Sequence, residues 1–228
     1  MKKLFFCLAC VLLPSCANPK YLRFGPDKYP DFYALAADNS EGRDYSVEVY
    51  DRNSPVLVMA IHGGELELAT SAIARNIAGK DFNLYLFNAW LGKASRKLHV
   101  TASHFNDSRV FGLIAKSSVT VSVHAQADKG EIVCVGGANE KLKKLVSDFL
   151  SATGFETEFP CKRFPALTDK NIVNKSGGGG VQLEITLALL NELDKDRDKL
   201  LKFSNIVKNA LEEYIKAENR DERVENRE

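Results

Sequence analysis

Apolar residues along this chain fall into two rhythms, and the switches between them mark out the elements. "PVLVMAIH", ending at His62, is an unbroken β-rich apolar run, the pattern of a strand buried on both faces. A helix is predicted from Thr70 or Ser71, either a good N-cap, to Gly79, which suits the position after a last turn. "VTVSVHA" predicts a second strand ending at His124, and "GEIVCVGG" a third ending in two glycines. In "NEKLKKLVSDFLSATG", Leu142, Leu145, Val146 and Phe149 recur at helical spacing and the run stops at Gly154.

Beyond that helix, "NIVN" leads into "KSGGGG", either a loop shaped around a ligand or a plain surface loop. "VQLEITLALL" starts as a strand and passes into a helix, and Ile206, Val207, Ala210, Leu211 and Tyr214 keep helical spacing in the last long element. The closing "AENRDERVENRE" has almost nothing to bury and is predicted to fray. Strands alternating with helices give an α/β domain with a largely parallel sheet. No internal repeat is visible.

The first residues read differently. Lys2 and Lys3 precede "LFFCLACVLL", too short to span a bilayer but right for an export signal. "LLPSC" resembles a bacterial lipobox with Pro14 as an unusual occupant, which makes Cys16 the expected lipidated residue; a plain secretory signal and an uncleaved anchor are the alternatives. The expected organisation is a signal peptide over 1–15, a lipidated terminus and tether over 16–28, one globular domain over 29–217 and a charged tail over 218–228. The expected location is outside the cytoplasm, anchored to a membrane.

Composition changes little. The 45% hydrophobic and 27% charged residues are those of an ordinary globular protein, and a net charge of +1 offers no basic face for nucleic acid. Nothing in the sequence argues against a monomer. Export leaves Cys134 and Cys161 as the two cysteines of the domain, which either pair or sit as separate buried thiols.

In an open α/β sheet, sites gather beyond the carboxyl ends of the strands. Three such ends carry His62, His124 and the Glu184 of "QLE", and Glu67 follows on the loop after His62. Two imidazoles and a carboxylate match a catalytic zinc site with one position left for water. A lone strand-end histidine is more often a hydrogen-bonded structural residue, but here two of only four histidines end apolar strands. Gly63 and Gly64 permit the sharp return that would bring Glu67 back to His62, and Glu65 is the competing carboxylate.

The blocks "DYSVEVYDRNSPVLVMAIHGGELELATSAIARNIAG", "LHVTASHFND", "VTVSVHA", "VCVGGAN" and "NIVNKSGGGGVQLEI" resemble, in order, the phage-type poly-γ-glutamate hydrolase family. That resemblance covers roughly residues 29–190 and implies a three-layer, zinc-carboxypeptidase-like α/β fold, with a mixed, largely parallel sheet and helices on both faces. It implies Zn2+ held by His62, Glu67 and His124, with Glu184 as the catalytic carboxylate. The implied reaction is hydrolysis of γ-glutamyl amide bonds, in poly-γ-glutamate or in peptidoglycan stem peptides. A non-catalytic binding module on the same fold is the competing reading, and the intact residue set argues against it. Arg75, Arg109, Lys175 and His104 are the candidates for substrate contacts, with Asn106 and Asp107 unassigned and His99 with His104 a possible structural pair. Lys175 stands where the family usually has arginine, keeping the charge but losing the planar fork that grips a carboxylate.

Overall fold

The computed structural model describes residues 25–225. The expected export signal and Cys16 lie outside them, and no helix among the described residues is long and apolar enough to cross a membrane. Six helices run as α1 (Phe32–Asp38), α2 (Thr70–Ala78), α3 (Ser108–Ile114), α4 (Glu140–Ala152), α5 (Leu187–Lys195) and α6 (Arg197–Glu225). Seven strands run as β1 (Tyr45–Tyr50), β2 (Val56–Gly64), β3 (Asn83–Ala89), β4 (Val119–Gln126), β5 (Ile132–Gly136), β6 (Glu156–Glu158) and β7 (Gly180–Thr186).

The strands form one sheet in the order β1-β3-β2-β4-β7-β5-β6. Its centre, β3-β2-β4-β7, is parallel, while β1 joins β3 and β5 joins β7 antiparallel, so the sheet is mixed and mostly parallel as its sequence pattern implies. The unbroken apolar run of β2 is explained by cover on both sides. Val56, Val58 and Ala60 pack with α2, α4, α5 and α6, whereas Leu57, Met59 and Ile61 pack with α1, α3 and the aromatic residues Tyr85 and Phe87. Each fully buried aliphatic side chain of this kind contributes about 1.5–3 kcal/mol.

Local chemistry sets the helix ends. Asn139 caps α4 by accepting from Leu142 N, and its amide also donates to Gly178 O and to the Tyr214 hydroxyl on α6. A side-chain cap of this kind is worth about 1 kcal/mol. At α2 the structure corrects the expected N-cap: Ala69, at φ +68°, occupies that position, and Thr70 begins the helix with its hydroxyl turned back onto Glu67 O at 2.7 Å. Gly79 closes α2 at φ +54° as expected.

Two further expectations change. The tail does not fray at 218, because α6 continues to Glu225, although its last buried residue is Tyr214 and the turns beyond it are largely exposed. The four glycines do not wrap a ligand. They enter β7 at its amino end, opposite to where sites gather, and a Cβ on Gly180 would fall 2.1 Å from Val173 O. Close backbone approach requires glycine at Gly178 and Gly180, and a φ of +71° favours it at Gly179.

Candidate active site

Alternation along β4 and β7 sends Val121, Val123, Val181, Leu183 and Ile185 to the helical core and leaves His124, Gln182 and Glu184 on the opposite face. His124 and Glu184 are register partners in the β4–β7 ladder, so the two side chains stand side by side.

His62 should, by the same alternation, follow Ala60 toward the helices. It does not, because β2 carries an extra residue against β3: Ala60 pairs with Leu86, yet Gly63 rather than His62 pairs with Asn88. This bulge re-aims His62 to the face of His124. After it, Gly64 takes φ +68° and the chain turns back, with Glu67 N donating to His62 O at 2.9 Å. Neither glycine could carry a Cβ without collision, since Gly63 would meet Ser71 Oγ at 1.8 Å and Gly64 would meet Ala89 O at 2.4 Å. Glu65 turns away from the site. Its carboxylate accepts from Gly92 N and from Ser95 Oγ, anchoring the 3-10 segment Gly92–Leu98.

The result is a triangle of donors. His62 Nδ1 lies 3.0 Å from Glu67 Oε1 and 3.1 Å from His124 Nδ1, and His124 Nδ1 lies 3.6 Å from Glu67 Oε2. All three residues are buried. The His62 Nε2 hydrogen donates to Val100 O at 2.9 Å, which leaves the Nδ1 lone pair facing a carboxylate and a second imidazole. Electron-rich atoms converging in a dry site need a positive charge between them. Ligand atoms about 2.0–2.1 Å from one tetrahedral ion stand about 3.3 Å apart, so edges of this size fit a zinc-like cation. Ala125 N donates to Glu67 Oε2, the oxygen on the His124 side, at 2.9 Å and fixes the carboxylate's orientation.

The electrostatics agree. Burial pushes His62 down and Glu67 up, but their mutual attraction outweighs it, raising His62 and holding Glu67 below the usual carboxylate range. The buried carboxylate thus draws a positive charge to its side, a proton on His62 or a cation in its place. Burial also pushes His124 down, past what Glu67 restores. Glu184 goes the other way: burial first, then the negative charge of Glu67, raise it well above an ordinary carboxyl, against a 2.7 Å hydrogen bond from Gln182 Nε2.

His99 is a neighbour whose nearness the sequence does not reveal. A ring nitrogen of His99 falls with His62 and Glu67 inside a 4.8 Å cluster, but its Nδ1 is 2.6 Å from Asp27 Oδ1 and its ring stacks on His62 with centroids 4.2 Å apart. Its pKa falls to about 4 through burial and the adjacent His62. It packs His62 in place, and the direct Nδ1–Nδ1 approach favours His124 as the third donor. A second cluster, Cys134, Glu158 and Cys161, offers no thiolate because Cys134 and Cys161 form a disulfide. That bond settles the open cysteine question.

His62, Glu67, His124 and Glu184 line one cavity of about 740 Å³. None of the four proposed substrate contacts joins them. Arg75 is taken by Glu48 at 2.6 and 2.7 Å, and Arg109 is shared between Asp107 and Glu41. His104 and Lys175 line a separate, smaller cavity, with Asn106, whose side chain accepts from the start of α1. Formal charge in a sequence does not show which cations a neighbouring carboxylate has already claimed. The cavity's cation is instead Arg163, joined by the amides of Gln126, Asn171 and Gln182.

This geometry has counterparts. YoqZ, an SPbeta prophage-derived protein of Bacillus subtilis (strain 168), is 30% identical over 170 residues, covering 73% of this chain and 61% of YoqZ. The chain therefore matches about three fifths of that relative's length. YndL of the same organism is 30% identical over 173 residues, covering 75% of this chain and 68% of YndL. The solved structure of a bacteriophage poly-γ-glutamate hydrolase superposes with a TM-score of 0.79 at 29% identity, covering 84% of this chain and 99% of that one. The zinc-free apo form of YndL superposes with a TM-score of 0.75 at 28% identity, covering 82% and 98%. The family model for poly-γ-glutamate hydrolase matches residues 29–217, which takes in every donor of the triangle and Glu184, and the chain belongs to that family.

Proposed function

We propose that this chain is a zinc-dependent hydrolase of γ-glutamyl amide bonds, with a γ-glutamyl polymer as its substrate. The observation that carries the reading is the meeting of three converging donors with a buried carboxylate on the neighbouring strand, in register with His124. His62 and His124 through Nδ1, and Glu67 through its carboxylate, would hold the ion. Bound there, zinc supplies Lewis acidity toward a scissile carbonyl and a water molecule. Val100 O and Ala125 N fix the orientation of His62 and Glu67, so the donor set is preorganised. Glu184 accepts a proton from the attacking water and delivers it to the departing amine nitrogen. Gln182 anchors one of its carboxylate oxygens, so the proton travels on the other.

Glu184→Gln tests this directly. The variant should keep one zinc per chain by elemental analysis while turnover falls about 10²–10⁴-fold. Near wild-type turnover would remove Glu184 from the mechanism. Parallel incubation with poly-γ-glutamate and with peptidoglycan, products identified by mass, tests the substrate, and release from peptidoglycan alone would reassign it. For the leader, the proposal is lipidation at Cys16: Cys16→Ser should move the protein from the membrane fraction to the soluble one, and unchanged partitioning counts against it.

A further inference from the structure

The segment 159–166 crosses the site face as a strap. Its start is fixed by the disulfide from Cys161 to Cys134, and Cys134 is the β5 register partner of Glu184. The strap then lies flat on the strand: Cys161 N donates to Val135 O at 3.2 Å, and Gly137 N donates to Pro165 O at 2.9 Å. Gly136 makes that approach possible, because a Cβ there would sit 2.7 Å from Phe164 O. At the far end Asn174 Nδ2 donates to Ala166 O at 2.6 Å and to Thr168 O at 2.9 Å. Arg163 stands in the middle of this held segment and is the one lysine or arginine among the described residues that line the cavity.

We infer that Arg163 is a substrate-binding residue that grips a free carboxylate beside the scissile bond, and that Asp128 holds its place until substrate arrives. The inference rests on the proposed γ-glutamyl substrate, each unit of which carries an α-carboxylate one short chain away from the bond to be cut. A guanidinium matches a carboxylate in bidentate geometry. Its present partner, Asp128, lies on the loop between β4 and β5 at the same mouth, and both side chains are about half exposed, 51% and 40%. Exposed pairs of this kind are weak and exchange readily. A substrate carboxylate entering the drier cavity therefore displaces Asp128 without breaking any part of the core. The disulfide matters because it keeps Arg163 within reach without any regular secondary structure around it.

The test uses the zinc-loaded full chain with a γ-linked glutamate oligomer and the same oligomer with its α-carboxyls converted to amides. Arg163→Ala should raise KM for the acid oligomer about 10- to 100-fold, leave the amide oligomer unchanged, and leave zinc content unchanged. Arg163→Lys should recover part of the loss, and Asp128→Asn should lower KM. Equal KM for Arg163→Ala and wild type on the acid oligomer, or equal losses on both oligomers, overturns the inference. Calorimetric binding of the two oligomers to Glu184→Gln, with and without Arg163→Ala, reads the same contact without turnover. Wild-type protein that binds the acid oligomer through Arg163 yet hydrolyses neither would sink the proposed reaction and leave this contact standing. Failure to prefer the acid in binding overturns the contact itself.

Discussion

The two halves of the cavity are held by opposite means. The centre, from the β2 bulge through His124 to Glu184, is buried sheet whose positions are fixed by ladder register and by close backbone packing around Gly63 and Gly64. The rim, 159–166, contains no strand or helix, is largely exposed, and keeps its place through one cross-link, two backbone hydrogen bonds to Val135 and Gly137, and a few side-chain bonds. A centre built this way cannot move without losing the fold. A rim built this way can be loosened while the centre stays intact. The chemistry is therefore assigned to the rigid half and the recognition of substrate to the tethered half.

Perturbing each half should separate the two. Glu67→Ala has the largest expected effect: it leaves two buried imidazoles facing each other without their anion, and both zinc content and turnover should be lost. Retained stoichiometric zinc in that variant would show that the triangle is not the metal site. Gly63→Ala comes next, since the new Cβ collides with Ser71 and the backbone of β3. It should cost about 1–3 kcal/mol in denaturant unfolding and lower zinc affinity by displacing His62. Joint replacement of Cys134 and Cys161 by serine should lower stability by about 2–4 kcal/mol and raise KM, with zinc content unchanged. Zinc loss in that variant would mean that the rim supports the centre after all. The smallest effects belong to Arg75→Ala and Arg109→Ala, whose guanidinium groups are occupied outside the cavity. Their kcat/KM should stay within about twofold of wild type because neither guanidinium lines the cavity, although Arg109→Ala should also cost stability by leaving the buried Asp107 without its cation.

The same division governs what the sequence reveals. The strand ends at His62, His124 and Glu184 can be read because an apolar run closing on a polar residue is a local signal. The bulge cannot be read, since it exists only relative to Leu86 and Asn88 on another strand. Arg163 is missed for a related reason: "FPCKRFPAL" has no periodicity, and its place depends on a pairing between cysteines 27 residues apart. Arg75 and Arg109 look available in the sequence because Glu48, Glu41 and Asp107 become their partners only on folding. Lys175 lies within a block that resembles the family yet lines a different cavity.

The extra residue in β2 also carries a warning for redesign. A procedure that rewarded regular strands would smooth out the bulge, pairing His62 rather than Gly63 with Asn88, and return His62 to the helical side with Ala60. Such a protein would gain sheet regularity and lose the proposed metal site, so an increase in thermal stability would coincide with the disappearance of function. The irregularity is inherited together with the activity, and neither can be optimised alone.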